Sequence, residues 1–487
     1  MKLNHLSSAQ TTLAFLLSIA FKELLSPRIL VIEHSFSDGL FCHEANWRPI
    51  SGREIESLFQ LMKTWINSGG QIEYKTKTKS DVIDEFKEMN SLSKLEIAQR
   101  WNHDKIPVIE YGQHWDYQIG TIISDLSKLP VFELRKYNEG FLMRLPTPFH
   151  AENIEKFKDH PKLFSTIKEH EESSKILNIA SIRELNDQIR NGNTQELINV
   201  AEELHDRKIN DIAVALIENH PQKRLISIAG PSSSGKTTFG KRLTAELKTK
   251  GFRALHIYMD DYFCDRDTLP LDAQGKRDIE AFTALNTELL CERLDCILDG
   301  GQIPKRKFDF KTGKGSDTTD RQQISEQDFI LIDGIHGLNP IISKKIGEER
   351  LSKIYVTAFT LMNIDTSHRI STSDNRLLRR MVRDHNYRGF SAEYTLAHCS
   401  SIRVGEERNI FPYQEEASFL FNSALIYEFP ILARHIKPLL KDVVNEKMLA
   451  RVEYLNTFLS LFEEYDDDLV PGTSILREFI GNSKYKY

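Results

Sequence analysis

Nine consecutive residues, Gly230-Pro231-Ser232-Ser233-Ser234-Gly235-Lys236-Thr237-Thr238, are those best suited to chemistry in this chain. They fit the pattern G-x-x-x-x-G-K-T. An apolar run, Leu225-Ile226-Ser227-Ile228-Ala229, precedes them, and a helix-compatible segment, Phe239 to Lys250, follows. Strand, glycine-rich turn and helix N-terminus is the order a phosphate-binding loop needs. Backbone N–H groups of such a loop point at phosphate oxygens, and the helix dipole favours their charge. Gly230, Ser232, Ser233, Ser234, Gly235, Lys236, Thr237 and Thr238 are therefore candidate nucleotide ligands. Lys236 is expected to reach the outer phosphates of ATP, and the Thr237 hydroxyl to ligate Mg2+.

Further candidates follow along the chain. Phe329-Ile330-Leu331-Ile332-Asp333-Gly334 reads as a buried strand that ends in a carboxylate, which places Asp333 beside the same metal ion. Met259-Asp260-Asp261-Tyr262 ends the strand after the loop's helix, and strand ends on that edge face the nucleotide crevice. Asp260 is the candidate proton acceptor or metal-shell group, with Asp261 as a cap. Arg376, Arg379, Arg380 and Arg383 recur at i, i+3, i+4 and i+7, with Arg388 just beyond. Like charges at that spacing repel, so the stripe implies an anionic partner, and Arg379 and Arg383 are the candidate clamp on a transferring phosphoryl group. Aromatic residues beside carboxylates, Phe308-Asp309-Phe310 and Asp278-Ile279-Glu280, suit a base-and-ribose pocket.

The elements that must hold these residues can be read from patterning. A length of 487 residues implies two to four domains, and 40% hydrophobic with 28% charged residues is ordinary globular composition. Net charge of −6 leaves no global footprint for nucleic acid or an anionic membrane. Five scattered cysteines fit a reducing cytoplasm better than a disulfide framework. Near the start, Leu13, Leu16, Leu17, Ala20, Phe21 and Leu24 form one face of an amphipathic helix, which predicts neither export nor a membrane span. Residues 1–155 read as a small α+β domain, with a helix after Ser51, a charged helical stretch from Val82 to Trp101, and short strands at Pro107–Tyr111 and Val131–Lys136. Residues 156–220 read as a helical connector with a break at Glu171-Glu172-Ser173-Ser174. Residues 221–432 read as an α/β core, and 433–487 as a helical extension. In the core, runs at Leu225–Ala229, Ala254–Tyr258, Phe329–Ile332, Ile354–Ala358 and Ala424–Tyr427 alternate with helices. That alternation predicts a mostly parallel sheet with helices on both faces.

Taken together, these motifs resemble the uridine kinase and phosphoribulokinase family over roughly 225 to 430. The family's aspartate after the second strand falls on Asp260, its acidic pair on Asp278 and Glu280, its aromatic-Asp-Phe on Phe308-Asp309-Phe310, and its Walker B end on Asp333-Gly334. Its arginine lid falls on Arg376 to Asp384, with Phe390 where uridine kinases carry a second lid arginine. The resemblance implies a P-loop NTPase fold of the nucleoside-kinase type, ATP and Mg2+ as cofactors, and contacts to acceptor from Asp260, Glu280, Phe308, Asp309, Arg383 and Arg388. The first helix, the His34-to-Cys42 turn and the next helix resemble the second additional domain of threonyl- and alanyl-tRNA synthetases. The metal-binding pair of that editing domain falls here on Thr11 and Phe15, so the fold is expected without the editing chemistry. The whole layout resembles a subgroup of uridine kinase-like proteins that join such a domain to the kinase and end in a motif like Ser474-Ile475-Leu476-Arg477-Glu478-Phe479-Ile480-Gly481. The implied activity is ATP-dependent phosphorylation of a nucleoside 5′-hydroxyl. A sugar or sugar-phosphate kinase with a basic acceptor pocket at Lys305, Arg306 and Lys307 is the alternative, and a nucleotide-gated protein that binds RNA through residues 1–155 is another. A cytoplasmic protein, able to form a homo-oligomer, is the expected setting.

Overall fold

The computed structural model describes residues 3–36, 39–147, 150, 152–269, 277, 281–309, 311–360 and 362–486. The chain opens with helix α1 (Leu3–Leu25) and the antiparallel strands β1 (Leu30–Phe36) and β2 (Gly39–Glu44). Leu13, Leu16, Leu17, Ala20 and Phe21 of α1 are buried as the periodicity requires, while Leu24 in the same row is 45% exposed. Helix α2 (Gly52–Asn67) starts at a capping box. The Ser51 hydroxyl accepts the Glu54 N–H, and the Glu54 carboxylate accepts the Ser51 N–H.

Next come β3 (Glu73–Thr78), α3 (Lys79–Glu88), α4 (Leu92–Arg100), β4 (Lys105–Tyr111), β5 (His114–Tyr117), β6 (Glu133–Tyr137) and β7 (Gly140–Arg144). The charged stretch after Val82 is two helices rather than one, because Asn90 between them takes φ 50°, a left-handed conformation that asparagine tolerates. The strands form two antiparallel sheets, in the orders β1-β2-β7-β6 and β3-β4-β5. The first packs on α1 and α2. The second, through Ile106, Val108 and Tyr117, packs together with Val82 and Phe86 of α3 and Ile97 of α4 into the same buried cluster as Ile226, Phe239 and Phe421 of the α/β core.

Three helices connect, α5 (Pro161–Leu177), α6 (Ile182–Arg190) and α7 (Thr194–Glu218). No break occurs at Glu171–Ser174. Glu171 instead pairs with Lys168 and Lys175 three and four residues away, which holds the helix together there.

The core contains β8 (Leu225–Ala229), α8 (Lys236–Thr249), β9 (Ala254–Tyr258), α9 (Thr287–Leu298), a hairpin of β10 (Ile303–Asp309) and β11 (Lys314–Gln322), β12 (Phe329–Asp333), α10 (Pro340–Ile346), β13 (Leu351–Thr357), α11 (Thr372–Arg383), α12 (Ala392–Asn409) and β14 (Phe419–Asn422). Apart from the antiparallel β10–β11 hairpin, its strands form one five-stranded, wholly parallel sheet in the order β9-β12-β8-β13-β14. Alternate residues supply the two faces. Ile226 and Ile228 of β8 pack with Phe239 and Leu243 of α8, while Leu225 packs with Leu294 of α9 and Ile342 of α10. The last strand is Phe419–Asn422, not the apolar run Ala424–Tyr427. That run is buried as a turn in which the Asn422 side chain accepts the Ala424 N–H (3.1 Å) and Glu428 accepts the Leu425 N–H (3.2 Å).

The tail forms α13 (Glu428–Leu440), α14 (Glu446–Ser460) and a single turn, α15 (Arg477–Ile480). It folds back on the core, where Phe458, Phe462, Ile475, Leu476 and Phe479 are buried. Among the described residues no helix is long and apolar enough to cross a membrane.

Candidate active site

Strand β8 delivers the chain into a turn that excludes side chains at two points. A Cβ on Gly230 would lie 2.0 Å from the Val356 carbonyl oxygen, and Gly235, the residue before α8, has φ 80°. Ser233 also takes a positive φ, 60°. The hydroxyls of Ser233 and Ser234 are buried without a hydrogen-bond partner among the described residues. A buried hydroxyl left in that state is unfavourable, and phosphate oxygens would relieve it. Lys236 curls over the loop, its Nζ 3.2 Å from the Pro231 carbonyl oxygen.

Asp333 ends β12, between β8 and β9, and is 5% exposed. It accepts the Thr237 hydroxyl at 3.2 Å. Burial pushes its pKa up to about 7; Lys236 opposes the rise, while Asp260 and Glu478 add to it. His256, with Nε2 3.9 Å away, is held neutral by burial, its pKa about 4. A hydroxyl and an under-neutralised carboxylate side by side are hard oxygen donors, and they fit Mg2+. With the loop hydroxyls, the residues fit ATP and Mg2+ together.

The two aspartates after β9 have different surroundings. Asp261 is a pin: its carboxylate accepts the Phe308 N–H (3.1 Å) and pairs with Lys307 (3.4 Å), tying the β10–β11 hairpin to the strand end. Asp260 keeps exposed surface. Desolvation by the surrounding protein raises its pKa and Asp261 adds to the rise, while Lys236, Arg388 and Arg383 pull it down.

The arginine stripe divides. Arg379, expected to clamp phosphate, does not face the loop. It is fully buried, with Nε donating to Glu428 at 2.6 Å and its other nitrogens to the Ser423 hydroxyl and carbonyl at 3.0 and 2.8 Å. Arg376 is paired with Glu406, but at the loop itself: it donates to the Ser232 carbonyl (3.3 Å), and Glu406 accepts the Ser232 N–H (3.1 Å). Arg380, Arg383 and Arg388 converge on one buried carboxylate, Asp384, at 3.1, 3.0 and 3.3 Å. A π-helical turn, Asp384–Arg388, brings Arg388 round to it. Arg380 also donates to the Ser232 hydroxyl of the loop (3.1 Å). Burial and the neighbouring Arg383 hold Arg388 below its ordinary pKa.

The acceptor candidates are less uniform. Phe308 packs edge-on against Phe263, with centroids 5.9 Å apart. The Asp309 carboxylate accepts the N–H groups of Lys311 (2.8 Å) and Thr312 (3.3 Å), so it closes the hairpin turn instead of pointing at an acceptor. Glu280 lies outside the described residues.

Three functional partners escape sequence reasoning. Glu406 and Glu428 neutralise arginines 30 and 49 residues away, beyond any local pattern. Glu478 accepts the N–H and hydroxyl of Thr238; the motif around it was visible, its target was not. In the N-terminal sheets, His43 stacks on Trp47 (3.8 Å) and bonds to the Glu44 carbonyl oxygen (2.8 Å). Among the described residues no group of three or more His, Cys, Asp or Glu is arranged to hold a metal ion.

Comparison with known proteins places this geometry. The profile of the phosphoribulokinase/uridine kinase family matches residues 225–423, from the first residue of β8 to just past β14. The uridine kinase of Clostridium perfringens is 30% identical over 169 residues, which are 34% of this chain and 71% of that protein. The uridine kinase of Halalkalibacterium halodurans is 28% identical over 179 residues, 37% of this chain and 75% of that protein. A solved structure from Bacillus stearothermophilus, described as a possible uridine kinase, aligns at 17% identity with a TM-score of 0.30, over 44% of this chain and 98% of that one. The loop, the strand-end carboxylates and the arginine helix all lie within the matched span, and the chain belongs to the phosphoribulokinase/uridine kinase family.

Proposed function

We propose that the chain transfers a phosphoryl group from ATP, with Mg2+, to the 5′-hydroxyl of a nucleoside. The observation that carries this reading is a convergence: Lys236, Asp260, Asp333, Arg383 and Arg388 come from separate segments and lie within electrostatic reach of Asp260 or Asp333 at one end of the sheet. Lys236 and the loop N–H groups bind phosphates, and Thr237 and Asp333 hold the ion. Mg2+, when bound, neutralises phosphate charge. Asp260, partly solvent-accessible and with a raised pKa, accepts the proton of the acceptor hydroxyl. Arg383 and Arg388 clamp the transferring phosphoryl group, since Arg379 is taken up by Glu428 and Ser423.

An uncharged acceptor is favoured over a sugar phosphate by the state of the basic segment on β10. Arg306 is tied to Asp317 (3.4 Å) and Lys307 to Asp261 (3.4 Å), so two of the three basic residues of that segment already have carboxylate partners among the described residues, and Lys305 alone of the three is left for a second phosphate. The test is ADP release by the full-length chain over a panel of nucleosides and sugar phosphates. Stimulation by a nucleoside is expected. Stimulation by sugar phosphates alone would move the chain to the other branch of the family, and stimulation by no acceptor would remove the kinase reading.

A further inference from the structure

The end of the chain sits on the phosphate-binding loop. Glu478 Oε2 accepts both the Thr238 N–H (3.2 Å) and the Thr238 hydroxyl (2.6 Å). Nearby, Ile475 is so close to the loop that its Cγ2 would be 2.5 Å from a Cβ on Gly235. Thr238 is the third residue of α8. The N–H groups of that first turn have no partner within the helix, and in a phosphate-binding loop they receive the phosphates nearest the nucleoside. A carboxylate and a phosphate oxygen thus call on the same two donors, and two anions cannot share them.

We propose that Glu478 is a built-in competitor for the inner phosphate, so that the segment 474–481 gates the nucleotide site; the inference rests on the nucleotide-binding reading of the loop. The segment has anchors of its own, independent of the Glu478 side chain, at Ser474, Arg477 and Phe479. The Ser474 hydroxyl lies 3.1 Å from the Tyr427 hydroxyl. Arg477 donates to the carbonyl oxygens of Asp467 (2.6 Å) and Val470 (2.8 Å). Phe479 lies beside the Arg379 guanidinium (5.2 Å), and its carbonyl accepts the Asn386 side chain (3.0 Å). From Ser474 to Ile480 every residue is buried except Glu478, which is half-buried. Its side chain therefore has water to move into while the backbone stays docked. The anchors reach α11 and the turn after it, so the gate touches the loop and the arginine lid at once.

The experiment is calorimetric titration of the full-length chain and its Glu478→Ala and Glu478→Gln variants with ADP and with adenosine, which has no phosphate. Both variants should bind ADP about tenfold more tightly, the size expected when a competing charge-assisted hydrogen bond is removed, and adenosine no differently. Should Glu478→Ala fail to fold, Glu478→Gln keeps the shape without the charge. Unchanged or weaker ADP binding by the variants overturns the gate alone, as does an equal gain for adenosine. If neither the wild type nor a variant binds ADP, the nucleotide reading falls and the gate with it. Binding by a variant where the wild type shows none supports both.

Discussion

Arg379 donates from Nε to Glu428 at 2.6 Å, and neither side chain has any exposed surface. A buried pair of this kind is hard to break, since removing one partner strands the other charge at about 3–5 kcal/mol. Arg379→Ala is therefore expected to lower Tm steeply, and its loss of activity should track its loss of folded protein. Arg383→Ala should instead shift Tm by about 2 °C or less while turnover collapses. Thermal melts paired with turnover per folded molecule separate the two, and a folded, inactive Arg379→Ala would reverse the assignment.

Asp260 and Asp261 provide a second contrast within one turn. Asp260→Asn should keep ADP affinity but lower kcat by roughly 10²–10⁴-fold, as loss of a proton acceptor does. Asp261→Ala releases Phe308 and Lys307 from the strand end, so it should act through KM for the acceptor and through hairpin stability. Steady-state kinetics on both variants decide the matter.

Metal dependence should run through Asp333. Asp333→Asn is expected to raise the Mg2+ concentration for half-maximal turnover by about tenfold or more. Thr237→Ala should act in the same direction, because its hydroxyl is the Asp333 partner at 3.2 Å. Mg2+ titration at saturating ATP measures it.

Stability should depend on pH through the contact between the N-terminal sheets and the core. Asp365 is buried and accepts the Tyr117 hydroxyl from β5 and the His368 ring at 3.0 Å. Burial opposes both charges, but each is held by the other and by neighbours. His368, facing Asp365 and Asp116, is raised above its ordinary 6.5, and Asp365, facing His368 and Lys94, is held well below its ordinary 3.8. The His368 contribution is complete below about pH 6.5 and fades as pH rises through its folded value; the Asp365 contribution is complete above about 3.8 and fades as pH falls. Scanning calorimetry should find His368→Gln more destabilised relative to wild type at pH 6 than at pH 9. An equal deficit at both would mean that the pair is not charged.

The core excised as residues 221–432 should be poorly stable. It would bare surface that Leu455, Phe458 and Phe479 of the tail and Leu197 and Ile212 of α7 now cover within one buried cluster. Expression of that fragment against the full chain, followed by far-UV circular dichroism melts, checks this.

Much of the site was legible from sequence because its signals are local. A strand, a glycine turn and a helix start are set by neighbours within a few residues, so the loop from Gly230 to Thr238 and the strand ends at Asp260 and Asp333 could be located by pattern. The capping box at Ser51 and Glu54 is local in the same way. The run Ala424–Tyr427 shows the limit: its apolar composition reads as strand, and the side chains of Asn422 and Glu428 make it a turn.

By itself, then, the sequence determined most of the core's order of elements, the phosphate loop and the family to which the chain belongs. Tertiary structure decided which charges are available for chemistry. An arginine stripe looks the same whether it awaits phosphate or is already matched, and the matching carboxylates of Arg376, Arg379 and Thr238's donors lie 30, 49 and 240 residues away. Electrostatic pairing depends on distance in space, which periodicity along the chain does not encode. That is why Arg379 belongs to the core, Asp384 gathers the arginines beside the loop, and a carboxylate from the last turn rests on the nucleotide's own donors.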